Sequence, residues 1–114
     1  MSHEKFQSCI DTCLACAIEC DHCASECLNE PEVQILTNCI QLDRECAEMC
    51  LSAARMMSLG SKHAADTCRL CAEFCHRCAD QCGQHAHMEH CKKCAEKCRE
   101  CAIECEKMVL EYTH

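Results

Sequence analysis

Tryptophan is absent from the 114-residue chain, and its only aromatic side chains are Phe6, Phe74 and Tyr112. Two glycines and one proline are too few to punctuate a strand-and-turn protein, so helix is the expected class. No apolar run approaches the roughly 18 residues of a membrane span. The opening MSHEKFQSCIDTC has neither an apolar stretch nor a cleavage site, so no export signal is read and a cytoplasmic location is expected. Positive charge is also in deficit: 11 basic against 19 acidic side chains give −8, which disfavours nucleic acid and anionic membranes as partners.

Cysteine is what the chain has in excess, 19 of its 114 residues. Such a fraction usually marks a secreted disulfide scaffold. The odd count and the missing export signal argue against that here, and a reducing compartment turns clustered cysteines towards metal. The spacing argues the same way. Cysteines fall at Cys9, Cys13, Cys16, Cys20, Cys23 and Cys27; at Cys39, Cys46 and Cys50; at Cys68, Cys71, Cys75, Cys78 and Cys82; and at Cys91, Cys94, Cys98, Cys101 and Cys105. Within each group the steps are 3 or 4, apart from one 7 that is their sum. That is the a/d pattern of a heptad, with cysteine where leucine normally stands.

Four groups predict four helices, over about 3–28, 31–58, 62–84 and 88–112, in one domain spanning 1–114. Ser2 and Ser61 are expected as N-caps, Pro31 in the first turn of the second helix, and Gly60 as a left-handed C-terminal residue. Short links force antiparallel neighbours, which gives an all-α, up-down-up-down four-helix bundle with a cysteine-lined core. The register extends to Phe6, Leu36, Met57, Ala64, Met108 and Tyr112 as further core positions. A unit C-A-x-x-C-x-x-C-A-x-x-C recurs at 16–27, 71–82 and 94–105, and at 46–57 Ala53 and Met57 take two of its cysteine slots. Its alanines put a small residue beside the core in every helix.

Cysteines at i,i+4 or i,i+3 share a helix face with Cβ atoms about 5–6 Å apart, so pairs such as Cys16/Cys20 and Cys94/Cys98 are placed to chelate one ion. Across a bundle this builds a continuous column of soft ligands. A column of this kind favours Cu(I). Replacing a thiol proton by Cu⁺ adds no net charge to the core, whereas a zinc tetrathiolate carries −2, and buried charge costs several kcal/mol. Thiolate also selects Cu(I) by softness. The function expected is therefore storage or buffering of many Cu(I) ions per chain, with a metallothionein-like sink for zinc or cadmium as the alternative. No iron–sulfur spacing is present, and no cysteine pair stands in the electropositive setting of a redox enzyme, so no catalytic activity is expected.

Other residues compete for chemistry. Glu19-x-x-His22 and Glu73-x-x-His76 mimic the Glu-x-x-His element of di-iron bundles, but their register puts them on the solvated surface. Asp43 falls at a core position among cysteines. Either the second helix rotates to bury Leu42 instead, or Asp43 is a ligand or hydrogen-bond partner inside the core. His85, His87 and His90 cluster at the link between the third and fourth helices, flanked by Cys82 and Cys91, and read as a loading mouth. Met57 and Met108, at the opposite end, are candidate thioether ligands or gap-fillers.

The repeated CAxxCxxCAxxC, the segment QHAHMEHCKKCAEKCRECAIEC and the missing export signal resemble the cytosolic copper storage proteins, a cysteine-rich four-helix family, over essentially the whole chain. The resemblance implies a homotetramer of bundles, thiolate-bridged Cu(I) clusters held by the 19 cysteines, and a histidine-lined mouth. It also implies exchange with copper donor and acceptor proteins or small thiols. Ala53 and Met57 depart from the pattern, so clusters at that end are expected to be altered or missing.

Overall fold

Helix dominates the chain as its glycine- and proline-poor composition requires. The computed structural model describes the backbone over residues 2–112 and the side chains over residues 4–112. Four long helices follow one another: α1 (Gln7–Leu28), α2 (Thr37–Ser58), α3 (Ala64–Gly83) and α4 (Glu89–Tyr112). Among the described residues there is no strand, and no helix is long and apolar enough to cross a membrane.

The helix starts differ from the sequence expectation. A 3-10 turn over Ser2–Phe6 precedes α1, whose N-cap is Phe6, and the Ser2 side chain lies outside the described residues. Pro31 does not open α2. It stands in the preceding turn, and a second 3-10 turn, Val33–Leu36, carries the chain into the helix at Thr37. Ser61 is not the cap of α3 either, because His63 holds that position. Ser61 instead secures the approach: its Oγ accepts from the His63 N–H at 3.0 Å and its carbonyl from the Ala64 N–H at 3.1 Å. Tighter 3-10 geometry satisfies the first N–H groups where a side-chain cap would otherwise act.

Gly60 behaves as expected. Its φ of 63° is left-handed, and the Ser61 N–H reaches the Met56 carbonyl while the Gly60 N–H reaches that of Met57, both at 3.0 Å. This is a Schellman ending, which needs a residue without a Cβ at that point.

Each helix packs against its neighbours in the chain, and α4 closes the ring against α1. Sulfur pairing fixes the directions. Cys9 meets Cys105 while Cys27 meets Cys91, so α1 and α4 run antiparallel. Cys46 meets Cys75 while Cys39 meets Cys82, so α2 and α3 do the same. Cys46 meets Cys98 and Cys50 meets Cys101, so the diagonal pair α2 and α4 is parallel. The result is an up-down-up-down bundle of 48 × 19 × 17 Å.

Alanine lines the seams: Ala17, Ala24, Ala47, Ala72, Ala79, Ala95 and Ala102 are all buried. Phe6, Leu36, Met57, Ala64 and Met108 occupy the core as their register requires. Tyr112 does not. It remains 38% exposed, packing edge-on against Phe6 with ring centroids 5.3 Å apart, while the Lys5 ammonium sits 4.9 Å above its ring. The exposed Tyr112 ring thus covers Phe6 from outside and offers its face to a cation.

Candidate metal centre

The heptad spacing turns every cysteine inward. All 19 are buried free thiols. Along each helix the i,i+4 pairs present their sulfurs together: Cys16 and Cys20, Cys71 and Cys75, Cys78 and Cys82, and Cys94 and Cys98 are each 4.0 Å apart. Neighbouring helices complete the sets. Cys20 lies 3.6 Å from Cys98, Cys46 lies 3.6 Å from Cys75, and Cys101 lies 3.7 Å from Cys13.

These sulfurs form overlapping groups of four. Cys13, Cys71, Cys101 and Cys105 make one; Cys16, Cys46, Cys50 and Cys75 another; Cys20, Cys78, Cys94 and Cys98 a third, with all ligand atoms of each group within 4.8 Å of one another. Cys16, Cys20, Cys46 and Cys98 bridge the second and third. Cys50 joins the first group to the second, lying 3.7 Å from Cys71 and 3.9 Å from Cys101, so these sulfurs make a continuous ladder of soft donors.

Asp43 settles the question of helix rotation. It is fully buried, and Leu42 lies at the margin of the core. Its Oδ1 accepts from the thiols of Cys78 at 3.1 Å, Cys94 at 3.2 Å and Cys82 at 3.3 Å, so one carboxyl on α2 ties together α3 and α4. Burial pushes its carboxyl up to about 9, and the Cys94 and Cys39 sulfurs beside it add to the shift. Next to it, Cys39 and Cys82 make the shortest sulfur contact described, 3.0 Å.

The three histidines do not act as one cluster. His90, in the first turn of α4, turns its Nδ1 onto the sulfurs of Cys91 at 3.5 Å, Cys23 at 3.7 Å and Cys27 at 3.8 Å. These four residues form a candidate ligand group of their own. His85 and His87 lie outside, edge to face with ring centroids 6.4 Å apart; His85 is half-buried and His87 exposed. Beneath His90, burial raises the thiols of Cys27 and Cys91, the latter to about 11.

Beyond the cysteine column the opposite end has an apolar interior rimmed by charged side chains such as Lys5 and Lys107. Met57 and Met108 are buried there, and Met108 lines one surface hollow with Phe6 and Tyr112 and another with Cys9. Ala53 is fully buried in a slot that carries cysteine in the other copies of the repeat. The two Glu-x-x-His elements are outside the core: His22, Glu73 and His76 are exposed, Glu19 is half-buried, and His76 pairs with Glu106 at 2.9 Å. Sequence reasoning missed Glu30, whose carboxylate accepts from His90 Nε2 at 2.8 Å. No periodicity marks a loop residue 60 positions from its partner.

Comparison with known proteins agrees with this geometry. The family model described as copper storage protein matches residues 2–110. No curated protein matches. Among solved structures, a cytosolic copper storage protein from Streptomyces lividans with five coppers superposes with a TM-score of 0.90 and 38% identity, covering 96% of this chain and 95% of that one. The same organism's protein loaded with 10 copper equivalents gives 0.90 and 39%, covering 94% and 85%. Apo copper storage protein 3 from Bacillus subtilis gives 0.86 and 39%, covering 91% and 98%.

Proposed function

Since the chain belongs to the copper storage protein family, we propose that it stores Cu(I) on the thiolates of its 19 core cysteines and works in the cytosol, as the Streptomyces relative does. The observation that carries this reading is the ladder: sets of four sulfurs within 4.8 Å of one another, sharing members along the bundle. Each buried thiol exchanges H⁺ for Cu⁺ without adding charge to an apolar interior, so filling can continue where a divalent ion would stop. The copper-bearing relatives give no support to a zinc or cadmium sink. We assign the chain no catalytic step.

We place the mouth at the His90 end, a reading supported by Nδ1 sitting over Cys23, Cys27 and Cys91, with Phe6 and Tyr112 packed together at the other end. Asp43 anchors the adjoining layer by holding thiols from two other helices, while Met57 and Met108 fill space at the end opposite His90. Copper reaches and leaves the mouth on donor proteins or small thiols. Self-association as a tetramer is part of this reading and rests on the family resemblance.

Anaerobic titration of the reduced apoprotein with Cu(I) and with Zn(II), against competing chelators, tests the function. Binding on the order of one Cu(I) per cysteine is expected, with far less zinc. Saturation at one to four Cu(I) per chain would replace the store by a chaperone-like or structural site.

A further inference from the structure

We propose that Glu30 is a positioning residue for copper uptake: it fixes the tautomer of His90 so that the Nδ1 lone pair faces the outermost sulfurs. Glu30 lies in the turn between α1 and α2, held by its own N–H on the Cys27 carbonyl at 3.2 Å and followed at once by Pro31. Its Oε2 meets His90 Nε2 at 2.8 Å, with 10% of the His90 side chain exposed and 30% of that of Glu30.

A carboxylate only accepts hydrogen bonds, so Nε2 carries the proton. In the neutral ring Nδ1 is then left as a base, and it points at Cys91, Cys23 and Cys27 between 3.5 and 3.8 Å. The arrangement is a carboxylate–histidine–metal relay built before the metal arrives. Such an outer carboxylate orients the ring and raises the basicity of the ligating nitrogen, and losing it typically costs about 10–100-fold in metal affinity. The bond also spans the bundle end, joining the α1–α2 turn to the first turn of α4, so the ring cannot swing away from the sulfurs it covers. His85 and His87 have each other as ring neighbours and lack this support.

The inference rests on the copper-storing reading, and its test separates the two. Reduced full-length wild type, Glu30→Ala, Glu30→Gln, His90→Ala and the double variant Glu30→Ala/His90→Ala are compared. Long-range proton–nitrogen NMR of the apoproteins should show His90 protonated on Nε2 in wild type and Glu30→Gln, whose amide oxygen still accepts, and a mixture of tautomers in Glu30→Ala. Uptake from a chelator-bound Cu(I) donor should slow about ten-fold in Glu30→Ala, recover in Glu30→Gln, and be no slower in the double variant than in His90→Ala. Final capacity should stay that of wild type. An unchanged tautomer in Glu30→Ala, unchanged uptake, or additive slowing in the double variant each overturns the role of Glu30 while leaving the store intact. A low capacity already in wild type overturns the storage reading itself.

Discussion

Asp43 takes a position that a bundle normally fills with leucine, and it does so without an opposing cation. Three thiols donate to one of its oxygens, and that is how a carboxyl survives among sulfurs. Its folded pKa, about 9 against an ordinary 3.8, means that the folded apoprotein binds a proton there which the unfolded chain releases above about 4. Stability from this group is therefore complete at acid pH and declines as pH rises from about 4 to about 9. Asp43→Asn, which is neutral throughout, should flatten that decline. Chemical denaturation of the reduced apoproteins at several pH values measures the difference between the two slopes. The heptad alone placed Asp43 at the core, but its partners on α3 and α4 depend on how those helices are rotated. His90 poses the same problem more sharply. Three histidines within six residues look equivalent in the sequence, and only the first turn of α4 separates the one over the sulfurs from the two outside.

At the level of the element, the repeat made all four helices and their buried faces legible, because a run of steps of 3 and 4 admits no other regular structure. Helix starts were less legible. Serine signals pointed to caps at Ser2 and Ser61 and a proline signal to a first turn at Pro31, yet α1 and α2 are entered through 3-10 turns and α3 after a serine-braced bend. Such turns satisfy the same orphan N–H groups without a characteristic residue. The α2 helix is also the poorest in thiols, since Ala53 and Met57 stand in two cysteine slots. Restoring both, in Ala53→Cys/Met57→Cys, should raise capacity by about two Cu(I) if storage follows thiol number. It should also destabilise the apoprotein by about 2 kcal/mol, the low end of the cost of truncating a buried methionine. Copper titration and apo denaturation of the same variant read the two effects, and a lost thioether ligand would show instead as a gain of only about one Cu(I).

For the molecule as a whole, the heptad register calls for no ion: the core is packed from side chains, with all 19 cysteines buried among them. The reduced apoprotein should therefore be strongly helical, and copper should raise its thermal midpoint because only the folded chain presents the ladder. A random-coil far-ultraviolet spectrum before copper is added would point to a chain that folds on metal. Loading should also acidify the medium, since burial keeps thiols such as Cys91 protonated until the metal displaces their protons. A pH-stat under anaerobic titration should record about one proton per Cu(I).

The position of His90 at one end of the ladder bears on the history of each ion as well as on where it sits. If copper enters and leaves only past His90, as proposed, the ladder works as a stack: the last ion in is the first out. On that reading, ions near Cys9 and Cys105 would be committed early and withdrawn late, while those under His90 would turn over with each change in demand. Half-filling with ⁶³Cu, completing with ⁶⁵Cu and then withdrawing copper with a chelator should release ⁶⁵Cu first. A constant isotope ratio throughout withdrawal would mean that ions migrate along the ladder faster than they leave it. One chain would then hold a single interchangeable pool, with no separation into reserve and working stock.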